Sequence, residues 1–231
     1  MNGVFGQLLL LLVPLLPLAL TPLFVAKKLT GGRKALFLLP LGALPALLTS
    51  LLVPLGTAVE LPWLLLGGGL ALDATGRVFL LFISLLWLLA AVYAVGYLAE
   101  DRRQGRFFSL FLLAMAGNLG VLIAQDIPLF YLFFALMSFS SYVLVIHNGS
   151  REALRAGRVY LTMVVLGELC SFSGLLLAAE AGQTLRVAEA AVAIGTAAPR
   201  ETILLLLIVG FGIKAGLFPL HLWLPLAHPV A

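Results

Sequence analysis

The chain has 231 residues, 62% of them hydrophobic and only 10% charged, with a net charge of +4. A soluble domain of that length needs far more polar surface. Its basic residues are scattered between apolar runs rather than gathered in one patch, which argues against nucleic acid and for orientation in a bilayer.

The runs are each about 18 to 22 residues, long enough to cross about 30 Å of hydrocarbon. The expectation is an all-α polytopic membrane bundle, a single transmembrane domain over 1–231 embedded in lipid. Seven spans are expected, at roughly 4–25, 35–54, 77–98, 107–125, 128–146, 158–179 and 202–220. The first has no positive charge ahead of it and has Lys27, Lys28, Arg33 and Lys34 after it. That order is the reverse of a signal peptide, so a retained helix is expected. Prolines 14, 17, 22, 40 and 45 do not veto the first two spans, because a membrane bundle can satisfy the freed backbone groups. Residues 56–76 are read as an external stretch with a short interfacial segment around Trp63. The glycines at 67–69 lack a strand–turn–helix context and are given no phosphate role.

The loops after spans one, three and five carry ten Lys or Arg: 27, 28, 33, 34, 102, 103, 106, 151, 155 and 158. The opposite loops carry Arg77, Arg186 and Arg200. The positive-inside rule then places the N-terminus outside. Tyr93 and Tyr97 mark the cytoplasmic boundary of span three. The four residues QDIP, Gln125 to Pro128, join spans four and five as antiparallel neighbours. Asp126 is expected to cap the next helix, with Pro128 in its first turn. Cys170, the only cysteine, is read as a small core thiol.

Two charges fall inside spans, Glu168 in the sixth and Lys214 in the seventh. An ionisable group at the bilayer centre costs at least about 2.5–3.5 kcal/mol, so it pairs or faces a wet cavity. At about 1.5 Å per residue, Glu168 lies roughly 15 Å from the cytoplasmic end of its helix and Lys214 roughly 12 Å from the same side. Similar depth on successive helices predicts a pair. Such a pair, poised between two protonation states, can relay a proton, and the alternative is a static bond between helices. Ser138 and Ser141 are candidates for a water path, against the plainer reading as close-packing positions. Gly216, Pro219 and Pro225 predict a broken seventh helix, as transporters use at ion sites. His221 and His228 titrate near neutrality and could pass protons on. No nucleotide loop, metal-ligand spacing or redox cofactor site is legible.

The closing stretch, KAGLFPLHLWLPLAHPVA, follows the pattern KxGxxPxHxWLPxAH. It resembles the seventh-helix signature of the proton-translocating antiporter-like subunits: the large membrane subunits of respiratory complex I, those of Mrp-type cation/proton antiporters, and membrane subunits of energy-converting hydrogenases. LALDATGRVFLLFISLLWLLAAVYAVGYL, DIPLFYLFFALMSFSSYVLVIH and RAGRVYLTMVVLGE are similar to the family's third, fifth and sixth helix regions. The resemblance implies the first half of a fourteen-helix, inverted-repeat architecture, in a gene fragment or truncated chain. It implies that Lys214 is the central lysine of a proton half-channel and that His221 is the family's following histidine. In the family a glutamate stands where this chain has Ala135, in FFALMSFSSY. Glu168 is the expected substitute, with weakened coupling or loss of pumping as the competing reading. The branch most resembled is the Mrp and hydrogenase-4 type.

The expected function is proton conduction, with Na+ left open, in a multisubunit complex of the bacterial cytoplasmic membrane. Lys214, Glu168 and His221 would transfer protons. Other membrane subunits are the expected partners, and peripheral subunits would hold any redox cofactor. The rivals are a non-pumping scaffold for a peripheral enzyme and a seven-helix receptor.

Overall fold

The computed structural model describes residues 3–26 and 33–230, which are mostly helical. Lys27 and Lys28, part of the orientation argument, lie outside the described residues. Four described helices are long and apolar enough to cross a membrane: α1 (Gly3–Val25), α4 (Ala74–Tyr97), α6 (Ile127–Val145) and α7 (Arg151–Gly182). The chain is a multi-pass membrane protein.

The other three expected spans take different forms. Residues 35–54 do not make one helix but two, α2 (Arg33–Leu41) and α3 (Leu44–Leu52). Pro45 has no N–H to continue the ladder, so the chain turns through Gly42 and Ala43 and restarts with the proline in the first turn. The fourth span is α5 (Gln104–Val121), and the seventh is α9 (Arg200–Ala215), which ends short of the expected residue 220.

Residues 56–76 also depart from expectation. They form an antiparallel hairpin, β1 (Ala58–Leu61) with β2 (Gly68–Ala71), pairing Ala58 with Ala71 and Leu61 with Gly68. Gly67 turns the chain at φ +95°, while Gly68 and Gly69 are strand residues. The fold is therefore helical with one small sheet, and Trp63 is exposed at the hairpin's tip.

Two compact units divide the chain: Met1–Ala124 with Leu132–Ser140, and Gln125–Tyr131 with Ser141–Ala231. In the first, α1 lies along α5, where Phe24 meets Phe108 edge to face at 5.6 Å. Gly117 and Gly120 of α5 give room for the Phe133–Met137 stretch of α6, where an added Cβ would come within 2.5 Å of Met137 N or the Phe133 ring. Trp87 of α4 donates to Asn118 of α5 at 2.9 Å. Asp73 caps α4 by accepting from Gly76 N at 2.6 Å.

The second unit is built on α7. Its 32 residues span about 48 Å, more than the hydrocarbon thickness. Ser150 caps its start, accepting from Ala153 N at 3.0 Å, and Gln183 closes its end in a left-handed conformation. The chain returns through α8 (Val187–Ala193) and a single 3₁₀ turn into α9, antiparallel to α7. Asp126 is the cap the sequence implies: its carboxylate accepts from Leu129 N at 2.9 Å, with Pro128 in the first turn of α6.

Candidate functional site

The close approach of α7 and α9 positions the site. Small residues recur on one face of α7 at Gly167, Ser171, Gly174 and Ala178, the spacing that keeps one side of a helix against a neighbour. A Cβ on Gly167 would meet the Gly210 carbonyl and the Ile213 Cβ, each at 3.2 Å, and a Cβ on Gly174 would meet Leu207 at 2.9 Å. Small residues let two backbones draw together in this way. Ile203 of α9 is wholly buried against Leu175, Ala178 and Ala179.

Glu168 and Lys214 each follow one of these contact residues in sequence. Glu168 comes directly after Gly167, and Lys214 directly after Ile213. They are therefore carried at the same level of the helix pair, and they interact electrostatically. Glu168 is buried, at 5% exposure, while Lys214 is half-buried. Two tyrosines also feel the Glu168 charge, Tyr131 of α6 and Tyr160 of α7. Tyr131 packs at a tilt against Phe172, ring centroids 4.4 Å apart, one turn beyond Glu168. Tyr160 is buried and hydrogen-bonded to Ser141.

The helix ends at the first of the three residues the sequence offers as breakers. That residue is Gly216, two residues past Lys214, where φ is +70° and the amide closes the helix onto Gly212 and Ile213. Glycine adopts this conformation without a Cβ clash. Pro219 sits in the turns beyond, outside any helix. Pro225 does not break a helix: it lies in the first turn of a new one, α10 (Leu224–Ala227), where its missing N–H is harmless.

Trp223 ties this segment back. Its indole N–H donates to the Ile213 carbonyl at 2.7 Å, and its ring meets Tyr160 edge to face at 5.2 Å. His221 lies in the same segment, 5.5 Å from the Phe218 ring, and its buried Nδ1 has no hydrogen-bond partner among the described residues. His228 is exposed at the end of α10.

The second unit thus holds Lys214, Glu168, His221 and Ser141. Ser138 belongs to the first unit, and its hydroxyl donates to its own helix at Phe134 O, 2.8 Å away. Tyr131, Tyr160 and Trp223 were not legible as site residues. Tyrosine and tryptophan in apolar helices read as boundary or core aromatics, and only the spacing of Tyr160 eight residues before Glu168 hinted otherwise. Among the described residues no three His, Cys, Asp or Glu gather as a metal site.

Two family models match the chain. The one described as NADH:quinone oxidoreductase/Mrp antiporter, TM, covers residues 124–231, and NADH-Ubiquinone oxidoreductase (complex I), chain 5 N-terminus, covers 64–108. The chain belongs to the antiporter-like membrane subunit family of complex I and Mrp antiporters. Relatives include an uncharacterized protein of Mycobacterium tuberculosis (strain CDC 1551 / Oshkosh), 35% identical over 75% of this chain and 27% of that protein. The Na(+)/H(+) antiporter subunit A1 of Staphylococcus aureus (strain JH9) is 31% identical over 68% of this chain and 20% of its own. The chain thus spans about a quarter of the curated relatives it matches.

Similar folds also appear among solved structures. Respiratory complex I from Thermus thermophilus with bound NADH aligns with a TM-score of 0.76 and 26% identity, over 95% of this chain and 46% of that one. The Mrp complex from Dietzia sp. DQ12-45-1b gives 0.75 and 25%, over 97% and 44%. The membrane-bound sulfane sulfur reductase, an archaeal respiratory membrane complex, shares the fold at 0.78 and 23%, over 100% and 48%.

Proposed function

We propose that this chain conducts protons as part of a membrane subunit in a multisubunit complex, by changes of protonation at Lys214. The observation that supports the reading is the close approach of α7 and α9 at Gly167 and Ile213, each one residue before Glu168 and Lys214, next to the helix end at Gly216. A buried carboxylate beside an amine favours the charged lysine. When Glu168 takes up a proton, Lys214 loses that support and gives up its own more readily. Each group thereby controls the other's proton, and alternation between the two states moves charge. Glu168 fills the role that the family resemblance assigns to the position of Ala135. His221, on the segment beyond the break, receives the proton released from Lys214 and hands it onward. Ser141 belongs to the approach, and His228 to the far end of the same path.

The names of the relatives and neighbours, Na(+)/H(+) antiporter subunit A1, complex I and Mrp, support ion translocation and membrane-subunit partners. In this reading the subunit crosses the bacterial cytoplasmic membrane seven times over this stretch with its N-terminus outside. Any redox chemistry resides in peripheral partner subunits.

The test is Lys214→Ala in the complex that contains this chain, reconstituted in liposomes with a pH-sensitive dye. Proton conduction is expected to fall at least about 100-fold, the scale of losing a positioned acid–base group. Full transport by an assembled Lys214→Ala complex would instead establish a non-pumping scaffold.

A further inference from the structure

Tyr160 is an ionisable group buried inside the second unit, at 4% exposure, and the Lys214 mechanism leaves it unused. Burying a phenol is tolerated when its hydroxyl has a partner, and Ser141 supplies one. The ring is held on one side by Trp223 and on others by Val145, Ala156 and Val164. Along α7 it stands eight residues before Glu168, about 12 Å nearer the arginine-bearing N-terminal end. Arg151, Arg155 and Arg158 at that end are all exposed. Along α7 the order is therefore an exposed polar end, the buried Tyr160 hydroxyl with the half-buried Ser141 of α6 beside it, then the buried carboxylate.

We propose that Tyr160 relays protons between the N-terminal side of α7 and Glu168, with Ser141 as its donor. This rests on the reading of Glu168 and Lys214 as the conducting pair. In the loading step the Tyr160 hydroxyl gives its proton towards the Glu168 carboxylate, through water where the gap requires it, and takes the Ser141 hydroxyl proton in return. Ser141 is refilled by a proton from hydronium in the aqueous phase at the polar end of the helix, which leaves a neutral water behind. One O–H bond breaks and one forms at each hydroxyl, so both end neutral and the net result is one proton added to Glu168. Two hydroxyls suit this task because each both donates and accepts. Trp223 fixes the phenol and, through the Ile213 carbonyl, the turn that carries Lys214.

Tyr160→Phe removes the relay and keeps the ring against Trp223. In the reconstituted complex it is expected to lower proton conduction about 10-fold or more and to raise the solvent deuterium isotope effect, because proton delivery becomes limiting. Ser141→Ala should act in the same direction, and Ser141→Thr, which restores a hydroxyl, should recover most of the rate. Wild-type rates in Tyr160→Phe and Ser141→Ala would overturn the relay. So would slowed variants with an unchanged isotope effect and no recovery in Ser141→Thr, the mark of a packing role. Lys214→Ala, measured alongside, separates the two proposals. If it conducts normally the conducting pair itself is wrong, and if it is inactive while Tyr160→Phe is normal only the relay falls.

Discussion

Gly210 and Ser171 meet backbone to backbone: a Cβ on Gly210 would lie 2.5 Å from the Ser171 amide nitrogen and 2.7 Å from its Cβ. No side chain can yield there, because the obstructing atoms belong to the neighbouring helix's main chain and first carbon. Separation of α7 from α9 is the remaining way to relieve the clash.

Gly210→Ala should therefore cost about 1–3 kcal/mol, the usual range for overpacking. Reversible unfolding of the detergent-solubilised protein in SDS would measure it. Gly195→Ala, at a site with nothing within 4 Å of the added carbon, is expected to be near neutral and serves as the control.

The Glu168–Lys214 relationship predicts non-additivity. Lys214→Met leaves a buried carboxylate without its cation and should cost about 3 kcal/mol, the low end for broken buried pairs since Lys214 is only half-buried. The double variant Glu168→Gln with Lys214→Met should recover most of that loss. The same SDS unfolding cycle reads the coupling, and strictly additive losses would deny that the two groups interact.

Trp223→Phe keeps an aromatic ring beside Tyr160 but removes the indole N–H that donates to Ile213 O. One hydrogen bond is worth about 0.5–1.5 kcal/mol, so stability should fall modestly. Proton conduction should fall more, since the loosened turn carries Lys214.

Asp126→Ala removes the cap on α6 and should cost about 1 kcal/mol, whereas Asp126→Asn, still able to accept from Leu129 N, should cost much less. Thermal denaturation followed by helical circular dichroism distinguishes them.

The membrane class, the four long apolar helices, the Asp126 cap and the family were all legible in the sequence, since each rests on local composition or a dense motif. Lys214 and Glu168 stood out for the same reason: a charge within an apolar run contrasts with every neighbour. The split of 35–54 was hidden because prolines inside membrane helices are tolerated in some settings, and only packing decides which. The hairpin at 58–71 carried too few strand formers to be seen among its glycines and leucines. Gly216 and Pro219 were both visible as breakers, but a helix ends at the first residue able to turn it, and Gly216 comes first. Tyr160 and Trp223 escaped notice because their importance lies in partners far along the chain, Ser141 and Ile213, which no local pattern reveals.

The position of that glycine has an electrical consequence. Closing α9 at Gly216, two residues after Lys214, puts the lysine in the final turn, the end that carries the negative pole of the helix dipole, equivalent to about half an elementary charge. Part of the lysine's counter-charge is thus made of backbone carbonyls, which cannot be protonated or moved away. When Glu168 is neutralised, Lys214 still faces a residual attraction, so the swing between its two states is shallower than one carboxylate alone would impose.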